Sequence, residues 1–497
     1  MIDKLSWISV YPEIVLALMA CVLTLADLGF KSPRRTPTYL LTLLTLAVVA
    51  ALQALDASAG ATVYGFGNMV VSDPMGNWLA CFATLAVMVT LVYGRPYAAE
   101  RGMLRGGELF SLSMFALLGI SVMISGNNFL VIYLGLELLT LSSYALVALR
   151  RDDATATEAA MKYFVLGAMA SGFLLYGLSM IYGATGSLDI TAVSNAIQSG
   201  QIDHRVLIFG LVFVVAGLAF KLGAVPFHMW IPDVYQGAPT AVTLLIGGAT
   251  KLAAFAICIR LLVEAMLPLA IDWQQMLMLL SMGSLLIGNL VAVAQTNLKR
   301  MLAYSTISHM GFVLVGLMSG VVGGDVHYAA NAYSSAMFYA ITYVLTTLGS
   351  FGVIMLLARD GFESEEIADF AGLNERSPLY AGVMAVCLFS LTGIPPMVGF
   401  YAKLAVLQAL VASGRGVDIG LAVFAVMMSL IGAFYYLRVV KVMYFDKPNG
   451  SNDGAVSAPL DVRAVLSLNG GLLLLLGLLP GGLMALCANA IVQMLGT

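Results

Sequence analysis

The sequence contains few charged residues for its length. Asp, Glu, Lys and Arg make up 10% of its 497 residues, whereas 60% are hydrophobic, and the mean hydropathy is +0.94. A soluble domain has roughly 25% charged residues. This scarcity of charge argues against a soluble enzyme and predicts an integral protein of the lipid bilayer, with no nucleic acid as a partner.

Cysteine is also scarce, and no spacing typical of a cofactor site is present. The five cysteines stand singly in apolar runs, without a CxxC pair, which argues against an iron–sulfur, zinc or disulfide framework. No phosphate-binding glycine motif lies between a strand and a helix. We therefore expect this chain to bind no cofactor or metal, and expect any redox chemistry to belong to partner chains.

Long apolar runs fill the rest of the chain, and they predict an all-α polytopic membrane protein with about fourteen transmembrane helices. The expected spans are 6–27, 38–56, 74–94, 109–125, 128–149, 160–183, 206–227, 240–265, 273–295, 298–320, 329–358, 379–412, 419–445 and 464–493.

Basic residues concentrate in alternate loops between these spans. One set of loops carries most of them, including Arg34, Arg35, Arg150, Arg151, Lys299, Arg300 and Arg359, while the other set carries Lys4, Arg205 and Arg415. Cytoplasmic loops are enriched in Lys and Arg. The pattern predicts an even number of spans with both termini on the non-cytoplasmic side.

Two spans, the seventh and the twelfth, contain helix-breaking residues at similar places. Each has a G-x-x-P pattern, formed by Gly223 and Pro226 in one and by Gly393, Pro395 and Pro396 in the other. Glycine allows the backbone to unwind and proline removes a helical hydrogen bond, so we expect both helices to be discontinuous. Kinks that serve packing alone are the alternative.

The breaks lie five spans apart, so the two helices run in opposite directions. This favours two inverted five-helix repeats. The expected units are an N-terminal three-helix segment at 1–108, repeats at 109–265 and 273–445, and a last helix at 463–497.

Four charged residues fall deep inside predicted spans, where a charge costs about 2.5–3.5 kcal/mol. They are Glu137, Lys221, Lys251 and Lys403. Buried charges persist when paired, and a row of titratable groups joined by water would carry protons. A carboxyl satisfied by nearby hydroxyls is the alternative for Glu137. Lys162 and Arg260 lie toward span ends, where we expect snorkelling to the interface.

His309 adds a group that titrates near neutrality, in a stretch rich in hydroxyls. A proton relay and a histidine hydrogen-bonded between helices are both open interpretations. His228, just after the first break, is expected to line an interface.

Four segments resemble the antiporter-like membrane subunits of respiratory complex I, the NADH:quinone oxidoreductase. They are "GLELLTLSSYALVAL", "FKLGAVPFHMWIPDVYQGAPT", "NLKRMLAYSTISHMG" and "SLTGIPPMVGFYAKL". Some family members carry a long C-terminal lateral helix, which is not expected after the fourteenth span here. Another subunit of this family usually has a glutamate at the position of Lys403.

The resemblance implies a proton-translocating subunit of a bacterial inner (plasma) membrane complex. It implies that Glu137 and Lys221 form a modulating ion pair, that Lys251 is the central relay and that Lys403 is the outer one. NADH, flavin, iron–sulfur clusters and quinone would be bound by partner subunits, and sister antiporter-like subunits would be neighbours. A subunit of a multisubunit cation/proton antiporter or of a membrane-bound hydrogenase is the alternative, and a structural scaffold would leave the buried charges unexplained.

Overall fold

The computed structural model describes residues 4–358, 362–448, 456 and 458–496. Arg359 lies outside these residues, as do residues 1–3 and 497 at the outer limits of the first and last predicted units. The described chain is helical apart from one small hairpin.

The N-terminal segment holds four helices and the hairpin. Its elements are α1 (Lys4–Ile8), α2 (Tyr11–Asp27), α3 (Thr36–Ala59), β1 (Val63–Gly65), β2 (Val70–Ser72) and α4 (Pro74–Glu100). The strands pair antiparallel, with Tyr64 opposite Val71. The hairpin departs from the all-helical prediction, which rested on spans and left this short connection unassigned.

The next part of the chain runs to residue 269. It contains α5 (Glu108–Ser125), α6 (Phe129–Val147), α7 (Ala154–Thr185), α8 (Ile190–Gln198), α9 (His204–Leu222), α10 (Trp230–Gly237), α11 (Thr240–Gly247), α12 (Ala249–Cys258), a π-helix (Ile259–Ala265) and a 3-10 turn (Leu267–Leu269).

The remaining helices complete the bundle. They are α13 (Ala270–Val293), α14 (Leu298–Met318), α15 (Ala329–Leu357), a 3-10 turn (Ile367–Phe370), α16 (Leu373–Arg376), α17 (Pro378–Thr392), α18 (Val398–Val411), α19 (Gly416–Phe445), α20 (Leu460–Leu478) and α21 (Gly481–Leu495).

Twelve helices in the described ranges are long and apolar enough to cross a membrane. The predicted spans at 6–27 and 379–412 correspond to α2 and to the pair α17 and α18, which are shorter, so the count of fourteen stays a prediction. The predicted last span, 464–493, is two helices. Pro480, which lacks an N–H to donate, separates α20 from α21.

The most enclosed helices carry polar and charged residues. In the most apolar window of the helix at Thr240–Ala265 and in that of α14, 94% of the residues are buried, against 39% in α7. Lys251 and His309 belong to these two enclosed helices. The centre of the bundle is therefore where groups shielded from lipid can be solvated by protein.

Candidate functional site

The first predicted break is present where α9 ends. Gly223 follows α9 with φ +83°, in the left-handed region, and its N–H donates to Ala219 O and Phe220 O. A Cβ at this position would lie 1.8 Å from Ile231 Cδ1. Glycine is therefore needed both for the backbone conformation and for the close approach of α10.

Lys251 lies directly on this helix end. Its Nζ donates to Leu222 O at 2.9 Å and to Lys221 O at 3.2 Å, and its side chain is 1% exposed. These carbonyls have no onward helical turn to bond with. The ammonium of α12 therefore replaces the missing helical donors of α9.

The side chain of Lys221 points to α6. Its Nζ donates to Thr140 Oγ1 at 2.6 Å, and Thr140 Oγ1 in turn donates to Leu136 O. Glu137, on the same helix, has a buried Oε1 that has no hydrogen-bond partner among the described residues. Within the part of the chain that the structure describes, Lys221 and Glu137 make no direct ion pair, so a hydroxyl is the immediate partner of this ammonium.

The second predicted break repeats the arrangement. Gly393 follows α17 with φ +85°, and its N–H donates to Phe389 O and Ser390 O. Lys403, on α18, reaches back across the break, and its Nζ donates to Thr392 O at 2.9 Å and to Ser429 Oγ of α19 at 2.6 Å. The lysine ten residues downstream is thus adjacent in space to the glycine.

The two breaks share one geometry. In each, a lysine ammonium donates to the free carbonyl of the residue immediately before the left-handed glycine, at the negative end of the helix dipole. Each ammonium also faces an aromatic ring, with Lys251 Nζ 5.3 Å from the centre of Trp230 and Lys403 Nζ 5.2 Å from that of Phe312. Carbonyls and rings, rather than carboxylates, stabilise these cations.

His309 lies on α14 beside the second break. Its Nδ1 is 2.7 Å from Tyr339 Oη and its Nε2 is 3.1 Å from Tyr436 Oη, and Tyr436 also bonds to Ser305. A cavity of about 10 Å³ adjoins His309. Its other side is lined by Ser390 and Leu391, before the second break, and by Gly399, after it. Its size suits about one water molecule.

The structure therefore forms two clusters from the predicted residues. Lys221 and Lys251 lie at the first break, and Glu137 lies on the helix that binds Lys221; Lys403 lies at the second break, and His309 lines the cavity beside it. Among the described residues no direct hydrogen bond joins Lys251 to His309. In the same residues, no group of three or more His, Cys, Asp or Glu side chains is arranged to hold a metal ion.

Comparison with known proteins identifies the family. The profile of a family described as NADH:quinone oxidoreductase/Mrp antiporter, TM, matches residues 126–431. The chain belongs to this family. The matched region contains Glu137, the three lysines and His309, and the resemblance found in the sequence is confirmed.

Relatives of full length agree. The chain is 72% identical to NADH-quinone oxidoreductase subunit N of Polaromonas naphthalenivorans (strain CJ2), with all of both chains covered. It is 62% identical to the protein of the same name from Herminiimonas arsenicoxydans, again over all of both chains.

Solved structures have the same fold. A chain of respiratory complex I from Thermus thermophilus is 33% identical, with a TM-score of 0.80, and the match covers 96% of this chain and 99% of that one. A chain of the Mrp complex from Dietzia sp. DQ12-45-1b has a TM-score of 0.84 at 20% identity, covering 98% and 97% of the two chains, which shows a shared fold alone.

The expectation that Arg260 snorkels to the interface is wrong. Its side chain is 1% exposed and forms two hydrogen bonds of 2.8 Å with Asp73, while Nη1 also bonds to Glu264 at 2.9 Å. Asp73, the N-cap residue of α4, is distant in sequence, and for this reason the pairing could not be read from the span containing Arg260. Lys162, in contrast, is 44% exposed and bonds to Glu158 and Asp233 near a helix end.

Three side chains at the site were not singled out from the sequence. Ser429 contacts Lys403, and Tyr339 and Tyr436 hold His309. A lone serine in the apolar run of α19 was the available signal, but serines also occur in such helices without function. The tyrosines carried no signal, because buried tyrosines are common in apolar cores.

Two cavities large enough for water lie near α10. One cavity of about 260 Å³ is lined by Lys162, Asp233 and Arg300, and another of about 390 Å³ extends between Pro239 and Glu363. Arg300 Nη1 and Lys162 Nζ each donate to Asp233 at 2.8 Å. The second cavity reaches Pro239, the residue before α11.

Proposed function

We propose that this chain translocates protons as a membrane subunit of NADH:quinone oxidoreductase, with Glu137, Lys221, Lys251, His309 and Lys403 as the relay. The observation that carries the proposal is the ammonium at each helix break. Because Lys251 and Lys403 rest on carbonyls, losing a proton from either lysine strands no carboxylate partner in the apolar interior. Each lysine can therefore exist in both protonation states at a modest cost.

Electrostatic repulsion links the members of the relay. Two unit charges about 10 Å apart in a medium of effective dielectric near 20 interact by about 1.7 kcal/mol. Lys221 and Lys251 meet at the same helix end, so protonating one favours release from the other. Glu137, one turn before the threonine that binds Lys221, can bias this exchange when its own charge or position changes.

The proposal includes two inverted repeats at 109–265 and 273–445. A pair of isolated bridges supports it: Asn128 pairs with Asp189 in the first unit, and Asn297 pairs with Glu366 in the second. Asn128 and Asn297 are also the N-caps of α6 and α14, the second helix of each unit. The units 1–108 and 463–497 would flank the repeats.

The assembly is proposed from the relatives. Both are named as subunits of NADH-quinone oxidoreductase, so we infer that this chain packs against other membrane subunits, including sister antiporter-like subunits, in a bacterial inner membrane. NADH, flavin, iron–sulfur clusters and quinone then belong to those partners. In this proposal both termini lie on the non-cytoplasmic side, which the distribution of basic residues among the loops favours.

A cation/proton antiporter is the second candidate, because the Mrp chain has the same fold. The 72% identity to a subunit N favours the first candidate. The size of the solubilised native assembly and its NADH-driven quinone reduction separate the two. A smaller assembly that exchanges cations without redox activity would support the antiporter.

The relay is tested in the purified, reconstituted complex with Lys251→Met. We expect fewer protons translocated per NADH oxidised, because methionine cannot carry a proton. Lys441→Met is the matched control, since Lys441 is 63% exposed and binds Asp446 near the end of α19. Wild-type proton translocation by assembled Lys251→Met complex would refute the role of Lys251.

A further inference from the structure

A cavity of about 330 Å³ lies apart from the proton-transfer residues. The ends of four structural segments form it: the loop before α3, the last turns of α4, the end of α15 and the start of α20. Arg34 and Arg95 line it on one side, and Met355, Leu356 and Val462 supply apolar wall. The helix ends that meet here are at the margin of the apolar spans, where a bilayer has its headgroups.

One buried hydrogen-bond donor in this cavity has no acceptor. Arg95 Nε is buried and has no hydrogen-bond partner among the residues that the structure describes. Buried polar groups in folded proteins are nearly always satisfied. An unpaired donor on the wall of a cavity indicates a ligand that brings an oxygen acceptor.

Arg95 is held in place for such a ligand. Its Nη2 donates to Thr36 Oγ1 at 2.6 Å, and its guanidinium carbon lies 4.3 Å from the centre of the Tyr39 ring. Arg34 is exposed at the cavity mouth and makes no ion pair within the described ranges. Guanidinium groups suit phosphate oxygens, which accept paired N–H donors.

The same cavity also presents carboxylates. Asp461 and Glu100 line it, and both are exposed. A free phosphate or a purely anionic headgroup would be repelled by them, whereas a headgroup with both a phosphate and an ammonium matches both signs of charge.

We propose that this cavity binds the headgroup of a zwitterionic aminophospholipid of the phosphatidylethanolamine type. The phosphate contacts Arg34 and Arg95, the ammonium contacts Asp461 or Glu100, and the acyl chains leave along Met355 and its apolar neighbours. The site is independent of proton transfer, since it contains none of the relay residues.

The test uses the assembled complex in vesicles that contain phosphatidylethanolamine with a photoreactive acyl chain. We expect adducts on peptides that contain residues 355–358 and 459–462. In Arg34→Gln and Arg95→Gln complexes the labelling should fall about tenfold, because a hydrogen bond to a charged group contributes that much to affinity. Arg105→Gln is the control, since Arg105 is exposed and lies outside the cavity lining.

A second probe tests the headgroup. The same photoreactive chain on phosphatidylglycerol has a phosphate but no ammonium, and should label these peptides less than phosphatidylethanolamine does. Equal labelling by both probes would contradict the zwitterionic assignment. Labelling that persists unchanged in both arginine variants, or no labelling at all, would show that the cavity holds no such lipid.

Discussion

Lys251 and Lys403 have the same kind of partner, a backbone carbonyl freed by a broken helix. The lysines could be predicted from the sequence because a charge in an apolar span is rare. Their partners could not, since Ser429 lies 26 residues from Lys403 on another helix and Lys251 binds carbonyls 29 and 30 residues away. Contacts of this kind depend on how helices pack, which hydropathy does not specify.

We expect the single-residue change Thr140→Val to weaken proton transfer. Valine has nearly the same shape but cannot accept the hydrogen bond from Lys221, and a hydrogen bond to a charged group is worth about 1.5–3 kcal/mol. The rate of proton translocation in the reconstituted complex should fall about tenfold or more. Thr140→Ser is the matched control because it keeps the hydroxyl. Equal rates for Val and Ser complexes would contradict this role.

The two helix breaks are the elements that provide the carbonyl partners of the lysines at the site. The G-x-x-P patterns predicted both of them, because glycine and proline act locally on the backbone. The direction in which each lysine side chain reaches was not predictable from that pattern. Arg260 also shows that a local pattern does not predict a side chain's partner. Its position near a span end suggested snorkelling, but the fold brings the buried carboxylate of Asp73 from the N-terminus of α4 to it.

We expect Gly223→Ala and Gly393→Ala to shorten the lifetime of the assembled complex on heating and to reduce proton translocation. A side chain at these left-handed positions costs about 1–2 kcal/mol, and the new Cβ would also meet Ile231 in the first case and Lys403 Cδ at 2.9 Å in the second. Large assemblies unfold irreversibly, so the half-life at a fixed temperature is the measure.

Gly414→Ala separates backbone strain from the close approach. Gly414 also has a positive φ, +67°, but has open space around its Cβ position. The Gly414→Ala complex should be destabilised only by the left-handed backbone conformation of the new alanine, and it should translocate protons at the wild-type rate. If the three variants behaved alike, the close packing at the breaks would have no functional consequence.

On the scale of the whole molecule, a loop after α15 connects distant parts of the chain. Glu363 accepts hydrogen bonds from Arg101 Nε and Tyr97 Oη, both at 2.8 Å, and from Arg150 Nη1 at 3.0 Å. Burial alone would raise the pKa of Glu363, but the hydrogen bonds and charge of Arg101 outweigh it and hold the pKa below its ordinary value.

The lowered pKa of Glu363 determines the direction in which its contribution to stability changes with pH. The stabilisation from ionised Glu363 is present above the pKa of an unfolded glutamate, and it is lost as the pH falls through the lower folded-state pKa. We expect Glu363→Gln to speed hydrogen exchange in residues 362–370 relative to wild type at pH 7. The ratio of the two exchange rates should approach one below the folded-state pKa, and a ratio that does not change with pH would contradict this.

The overall architecture was the most predictable part of this protein. Spans of apolar residues and helix breakers follow from composition and local chemistry, whereas the hairpin and the division of the last span at Pro480 involve short elements that a hydropathy window averages away. The count of spans and the inverted repeats stay predictions. The lysines at the breaks either carry protons or only stabilise the helix ends.

Lys403→Arg in the assembled, reconstituted complex decides this most directly, by the number of protons translocated per NADH oxidised. Arginine keeps the positive charge and can still donate to Thr392 O and Ser429 Oγ, but its guanidinium does not release a proton at accessible pH. If Lys403 relays protons, the ratio falls well below that of the wild type. If the arginine complex assembles and gives the wild-type ratio, Lys403 has a structural role and the relay through the second break is contradicted.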